Sequence, residues 1–251
     1  MYVPLDIALF AIVLTAAITT GVTGFGFNLI SVPLLALYLD ARAAVVVSLV
    51  LGVVASTLML LPNEVRRHID GRLALLLFGF SLLGLPIGVL LFTRASPSLL
   101  KLAIGLITVT YAAPLLWSNR APSGGHIYLG AAAGFVGGVL ASSTGLSGPP
   151  AIVFAHSKGL EPMALRATMA AYVLLVTLVT LPLLAMSGWL STGKLDSTLP
   201  LIPAVFVGIL VGRALFNRLP IHIFHRIVVY SLVVMGVANL VGVALSHQSL
   251  L

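Results

Sequence analysis

The chain alternates long uncharged apolar runs with short polar stretches. The runs fall at about 6–21, 27–39, 43–62, 72–93, 98–117, 127–143, 148–158, 163–186, 199–217 and 223–246. Most approach the roughly 20 residues that a helix needs to cross the hydrocarbon core of a bilayer. The runs at 27–39 and 148–158 are too short to cross, and each follows a glycine break. The first break reads Gly21-Val-Thr-Gly24-Phe-Gly26-Phe-Asn28. The second reads Ser142-Ser-Thr-Gly145-Leu-Ser147-Gly148-Pro149-Pro150. Paired breaks at matching places in two halves of a membrane chain point to a solute site, because helices stop there and release backbone groups.

Composition fixes the solvent. The chain has 251 residues, of which 60% are hydrophobic and 8% charged, with mean hydropathy +1.18. A soluble domain carries about 25% charged residues. This chain cannot cover a soluble surface, and about six to ten spans consume most of it. No separate soluble catalytic domain fits. The net charge of +7 lies in short loops between apolar runs, where membrane topology accounts for it without nucleic acid. Cysteine is absent, which excludes disulfides, thiolate metal sites and cysteine nucleophiles. The N-terminal Met-Tyr-Val-Pro-Leu-Asp6 lacks the basic region of a cleaved signal, so the first apolar segment is expected to be retained.

The two halves repeat. At a shift of 121, Thr23-Gly24 falls on Thr144-Gly145, Val32 on Val153, Leu39 on Leu160, Asp40 on Glu161 and Ala43 on Ala164. At a shift of 124, Gly84, Gly88, Leu91, Phe92 and Arg94 fall on Gly208, Gly212, Leu215, Phe216 and Arg218. The expected fold is an all-α polytopic membrane protein of two homologous repeats, 1–120 and 121–251, forming one integral membrane unit. Each repeat holds a glycine-broken re-entrant helix pair and three transmembrane helices.

Charge then orients the repeats. If each broken pair enters and leaves on one side, the second half is inverted. One side then receives Arg42, Arg94, Lys101 and Lys194. The other receives Arg66, Arg67, Arg72, Arg120, Lys158, Arg166, Arg213, Arg218 and Arg226, a split of 4 to 9. If each broken pair crosses once, the repeats are parallel and the split is 5 to 8. The stronger bias favours inversion, with both termini on the less basic, external side of a plasma (bacterial inner) membrane.

The breaks carry the candidate chemistry. Gly24, Gly26, Gly145 and Gly148 let backbone turn sharply and approach a ligand. Pro149 and Pro150 suit the first turn of the helix they open. That helix, and its mate starting near Phe27, end in free N–H groups. In an inverted fold both N-termini face one cavity, a site for an anion. Thr23, Asn28, Ser31, Ser142, Ser143, Thr144 and Ser147 cluster there as hydroxyl or amide donors. The Gly-xxx-Gly pairs Gly84/Gly88 and Gly208/Gly212 read instead as close helix packing.

Gly21-Val-Thr-Gly24-Phe-Gly26 followed by Pro33, and Gly138 with Gly145-Leu-Ser147-Gly148-Pro149, resemble the sulfite exporter TauE/SafE family of membrane permeases. The turns Asp40-Ala-Arg42-Ala and Glu161-Pro-Met163-Ala fit as well, so the likeness covers nearly the whole chain. Pro149-Pro150 departs from it, standing where a third glycine is often found. The resemblance implies a permease that exports, or sometimes imports, sulfite, an organosulfonate or a related small sulfur-containing anion; with two related halves, export by alternating access is expected. The substrate-binding set is then Thr23, Gly24, Gly26, Asn28, Ser143, Thr144, Gly145, Ser147, Gly148 and Pro149, with no cofactor and no metal. A passive small-anion channel and a non-transporting membrane scaffold are the alternatives. The partners are the anion and the lipid bilayer; homo-oligomerisation is left open.

The remaining ionisable groups narrow the mechanism. Asp6, Asp40, Glu64, Asp70, Glu161 and Asp196 all lie at or near segment ends. No midplane carboxylate is evident for a proton relay or a hard cation. Asp40 and Glu161 precede helices, where capping accounts for them. His156 falls inside a short broken segment, where its ordinary pKa of about 6.5 suits coupling or pH-gated anion binding. Arg166 and Arg213 are the basic residues nearest to burial, placed to draw an anion toward the cytoplasmic mouth or to snorkel. Trp117 and Trp189 read as interfacial anchors. No nucleophile has a base at usable spacing, so the chain is not expected to be an enzyme.

Overall fold

A computed structural model describes residues 5–117, 126–189 and 198–216. The described residues are almost entirely helical. The helices are α1 (Leu5–Thr23), α2 (Phe27–Tyr38), α3 (Ala41–Leu60), α4 (Asn63–Arg67), α5 (Gly71–Arg94), α6 (Pro97–Trp117), α7 (Ile127–Thr144), α8 (Gly148–Ser157), α9 (Pro162–Met186) and α10 (Ile202–Phe216). A 3₁₀ turn at Leu199–Leu201 leads into α10, and the short α4 was not marked by the apolar pattern. The expected segment at 223–246 lies outside the described residues, as do Arg120, Lys194, Asp196, Arg218 and Arg226.

Among the described residues six helices are long and apolar enough to cross a membrane, among them α1 and α7. The short runs at 27–39 and 148–158 form α2 and α8, of 12 and 10 residues. At 1.5 Å per residue these reach about 18 and 15 Å, well short of a bilayer core. Each broken pair therefore joins one long limb to one short limb.

The glycine breaks are built by backbone chemistry. Gly24 and Gly145 lie 121 residues apart, and both adopt positive φ, 82° and 78°. Their N–H groups close α1 and α7 on Thr20 O and Ala141 O, at 2.7 and 3.1 Å. Only glycine takes this left-handed turn without strain, so both helices end at the same repeat position.

The packing is interleaved between halves. A Cβ on Gly84 of α5 would meet the backbone of Phe135 and Val139 on α7. A Cβ on Gly208 of α10 would meet the backbone of Leu14 and Ile18 on α1. Leu14 and Ile18 are the positions 121 before Phe135 and Val139. Each half thus supplies the helix that clasps the other half's broken pair. Where lipid removes any hydrophobic drive between helices, such small-residue contacts hold them. Large apolar side chains such as Leu75, Leu83 and Leu210 face outward, each more than half exposed, as lipid requires.

Helix direction follows from two contacts. Arg166, near the start of α9, donates to Met59 Sδ near the end of α3, at 3.6 Å. Arg42, near the start of α3, stacks 4.3 Å from the ring centroid of Trp189, just beyond α9. Helices α3 and α9 are therefore antiparallel. One end of the bundle gathers Arg66, Arg67, Arg72, Lys158, Arg166 and Arg213; the other gathers Arg42, Arg94 and Lys101. Arg42 also binds the carbonyls of Phe92 and Ala95, at 3.2 and 2.6 Å, tying the end of α5 to the start of α3.

Candidate functional site

Where the two breaks meet lies a cavity of about 20 Å³, room for about one water. Helix α3 presents Gly52 and Ser56 to it, α9 presents Val173, and α1 presents Thr20. Gly52 and Val173 are again 121 apart. The cavity therefore lies between the antiparallel helices α3 and α9. From the first break come Phe25, Gly26, Phe27, Asn28 and Leu29, and from the second Gly145, Leu146, Ser147, Gly148 and Pro149. No side chain lining it bears a formal charge.

Asn28 is the polar centre. It is 8% exposed, and neither Oδ1 nor Nδ2 has a hydrogen-bond partner. An unsatisfied buried polar group costs about 1–3 kcal/mol, so its retention calls for a partner that is not part of the chain. Its position is set by a zipper between α2 and α3. Ser31 Oγ donates to Ser48 Oγ at 2.9 Å, one turn after Asn28 on α2 and one turn before Gly52 on α3. Gly52 leaves room for the amide, since a Cβ there would lie 2.8 Å from Asn28 Oδ1. Behind the cavity, Ser81 on α5 donates to the Gly134 carbonyl of α7 at 2.8 Å and pairs with the Tyr172 hydroxyl of α9 at 3.0 Å.

The two helix ends differ. Gly26, φ 108°, precedes α2 with no side-chain cap, so the first-turn amides of Phe27, Asn28 and Leu29 are not taken by a capping side chain. Ser147 precedes α8, also with no side-chain cap bond. Pro149 and Pro150 have no N–H, so α8 offers fewer amides than expected from the paired breaks. The donor field is weighted toward the first repeat.

Of the ten expected binding residues, Gly26, Asn28, Gly145, Ser147, Gly148 and Pro149 line the cavity, while Thr23, Gly24, Ser143 and Thr144 do not. The hydroxyls of Thr23, Ser143 and Thr144 donate to Thr19 O, Val139 O and Leu140 O at 2.7–2.9 Å, and Thr23 Oγ1 also accepts from Phe25 N at 3.4 Å within the break. Ser142 is likewise spent, donating to Leu85 O at 2.8 Å. His156 is exposed in the last turn of α8, away from the cavity. Arg166 is 4% exposed and binds the Gly21 carbonyl at the end of α1. Asp40 caps α3 by accepting from Arg42 N at 3.0 Å, whereas Glu161 makes no side-chain cap bond.

Gly52 and Ser56 line the cavity although neither belongs to a break. Their signal was present: Ser48, Gly52 and Ser56 repeat every four residues along one face of an otherwise apolar helix.

The sequence matches the profile of the sulfite exporter TauE/SafE family over residues 9–239. No curated protein and no solved structure matches it significantly. The family is one of transporters, and the match runs through both breaks and every helix that builds the cavity. The chain belongs to the sulfite exporter TauE/SafE family of membrane transporters.

Proposed function

We propose that the chain is a secondary permease that binds a small sulfur-containing oxyanion, sulfite or an organosulfonate, between its two helix breaks and exports it by alternating access. The observation that carries this reading is the unpartnered amide of Asn28, buried at the uncapped start of α2. A helix N-terminus favours negative charge, and a carboxamide Nδ2 adds a donor that suits an S–O oxygen. A neutral, amide-lined cavity holds an anion without the tight ion pair that would slow release. At about 20 Å³ the cavity has room for about one water, so a four-atom anion fits only when the breaks part.

The two repeats are read as inverted. The antiparallel α3 and α9, and the matched contacts of Gly84 and Gly208, support a pseudo-two-fold axis through the cavity. Rocking one repeat against the other would expose the site to each side in turn. The more basic end, with Arg66, Arg67 and Arg72, is read as cytoplasmic in a plasma membrane.

The test is anion flux into proteoliposomes, comparing sulfite, a small organosulfonate, sulfate and chloride at two pH values. Saturable flux of sulfite or sulfonate supports the permease. Single-channel currents would replace it with the channel, and silence toward every anion would favour the scaffold.

A further inference from the structure

Two arginines near the basic end of the bundle are held by backbone carbonyls and a thioether. Arg166 on α9 is 4% exposed, and its side chain donates to Gly21 O and to Met59 Sδ. Arg213 on α10 is half-buried and donates to Leu58 O. Leu58 and Met59 are neighbours on α3, and a Cβ on Gly212 would lie 2.7 Å from Gly21 Cα. The two positive guanidiniums are therefore anchored on adjacent residues of α3. The Nε of each is buried with no hydrogen-bond partner. The Phe216 ring centroid lies 4.3 Å from the Arg166 guanidinium carbon. Among the described residues no carboxylate pairs with either arginine.

Like charges without a counter-ion are expensive inside a membrane and mark functional sites. Their present acceptors are last-turn carbonyls of α1 and α3, which are neutral. An oxyanion makes stronger, charge-assisted bonds to a guanidinium than a carbonyl does. It would also relieve the repulsion between the two arginines.

We propose that Arg166 and Arg213 form a second oxyanion site, a receiving station between the cytoplasmic mouth and the central cavity. Ser56 lines the cavity and Met59 touches Arg166, so the two sites lie about one helical turn apart along α3. The site takes a sulfonate, sulfite or sulfate group by bidentate contacts. Its occupation draws the arginines off Gly21 and Leu58, loosening α9 and α10 of the second repeat from α1 and α3 of the first. The staging role rests on the transport reading above; the anion site itself does not.

The experiment uses the full chain in nanodiscs with methanesulfonate as probe, since sulfite adds to the labelling reagent. Binding is followed by calorimetry. Modification of individual arginines by phenylglyoxal is followed by mass spectrometry, in wild type and in Asn28→Ala. Saturating methanesulfonate is expected to slow Arg213 modification about tenfold, as for a charge-assisted pair. Arg42, at the opposite end, should be unaffected, and protection should persist in Asn28→Ala. Binding without protection of Arg213 would overturn the second site and leave the central one standing. Protection that disappears in Asn28→Ala would also overturn it, by making the effect indirect. Protection in both proteins, with Asn28→Ala binding and transporting as wild type, would sustain this site and overturn the central one. Absence of both binding and protection would overturn both.

Discussion

Asn28 Oδ1 faces the bare Cα of Gly52, so closely that a single added methyl group would lie 2.8 Å from it. The pair joins α2 to α3 at the cavity and makes the amide's position depend on a missing side chain. Gly52→Ala should therefore displace Asn28 while leaving α3 intact, because alanine is the better helix former. The expected result is a KM for sulfite raised about tenfold, the loss of one hydrogen bond to a charged group, with unchanged monodispersity. An unaltered KM would show that the amide does not touch the anion.

The second break has proline where the first has this asparagine: Pro149 lies 121 residues after Asn28. Pro149→Ala restores an N–H at the second position of α8, aimed with the helix dipole at the cavity. Anion affinity should rise about threefold, within the range for a charge near a helix N-terminus. A calorimetric titration giving equal or weaker affinity would mean that α8 contributes only shape.

Stability separates the two turn glycines. Gly24→Ala and Gly145→Ala both force alanine into left-handed backbone, a strain of about 1–3 kcal/mol. At Gly24 the new Cβ also strikes the backbone of Arg166, which cannot yield. At Gly145 it meets side chains alone, Val32 Cγ2 at 3.2 Å and Val45 Cγ1 at 3.6 Å. Thermal unfolding should show the larger fall in Tm for Gly24→Ala. Equal falls would mean that the contact between the first break and α9 is looser than the geometry implies.

The absence of cysteine makes sidedness easy to measure. Exposed Ser98, after α5, and Glu161, before α9, lie at opposite ends of the bundle. A membrane-impermeant maleimide should label Ser98→Cys on intact cells, and Glu161→Cys only after permeabilisation. Labelling of both from outside would contradict the inverted arrangement, and the reverse pattern would invert the orientation.

Much of this was legible from pattern alone. Charge-free runs mark helices because lipid forbids solvated breaks, and positive-φ glycines mark where α1 and α7 must stop. The register at 121 located Gly24 and Gly145 as equivalents before any contact was known. What the chain did not disclose was orientation around each helix. Thr23, Ser143 and Thr144 sit beside the breaks in sequence, yet their hydroxyls satisfy carbonyls four residues back, the cheapest local option for such side chains. Gly52 and Ser56 are far from the breaks in sequence and reach the cavity only through the α2–α3 hairpin. His156 lies in a broken segment but on its outward end. Arg166, read as a cation near the mouth, proved to be bound to the last turn of α1, a contact between halves that no local pattern reveals.

The central claim is that an anion binds at Asn28, and Asn28→Asp tests it most directly. The substitution keeps the shape and exchanges a donor amide for a carboxyl group that repels an anion when ionised. Sulfite uptake into proteoliposomes, measured over a range of concentrations, should fall to the background of empty vesicles while the protein stays folded and monodisperse. Saturable uptake with the wild-type KM and rate would contradict the account and move the substrate away from the two breaks.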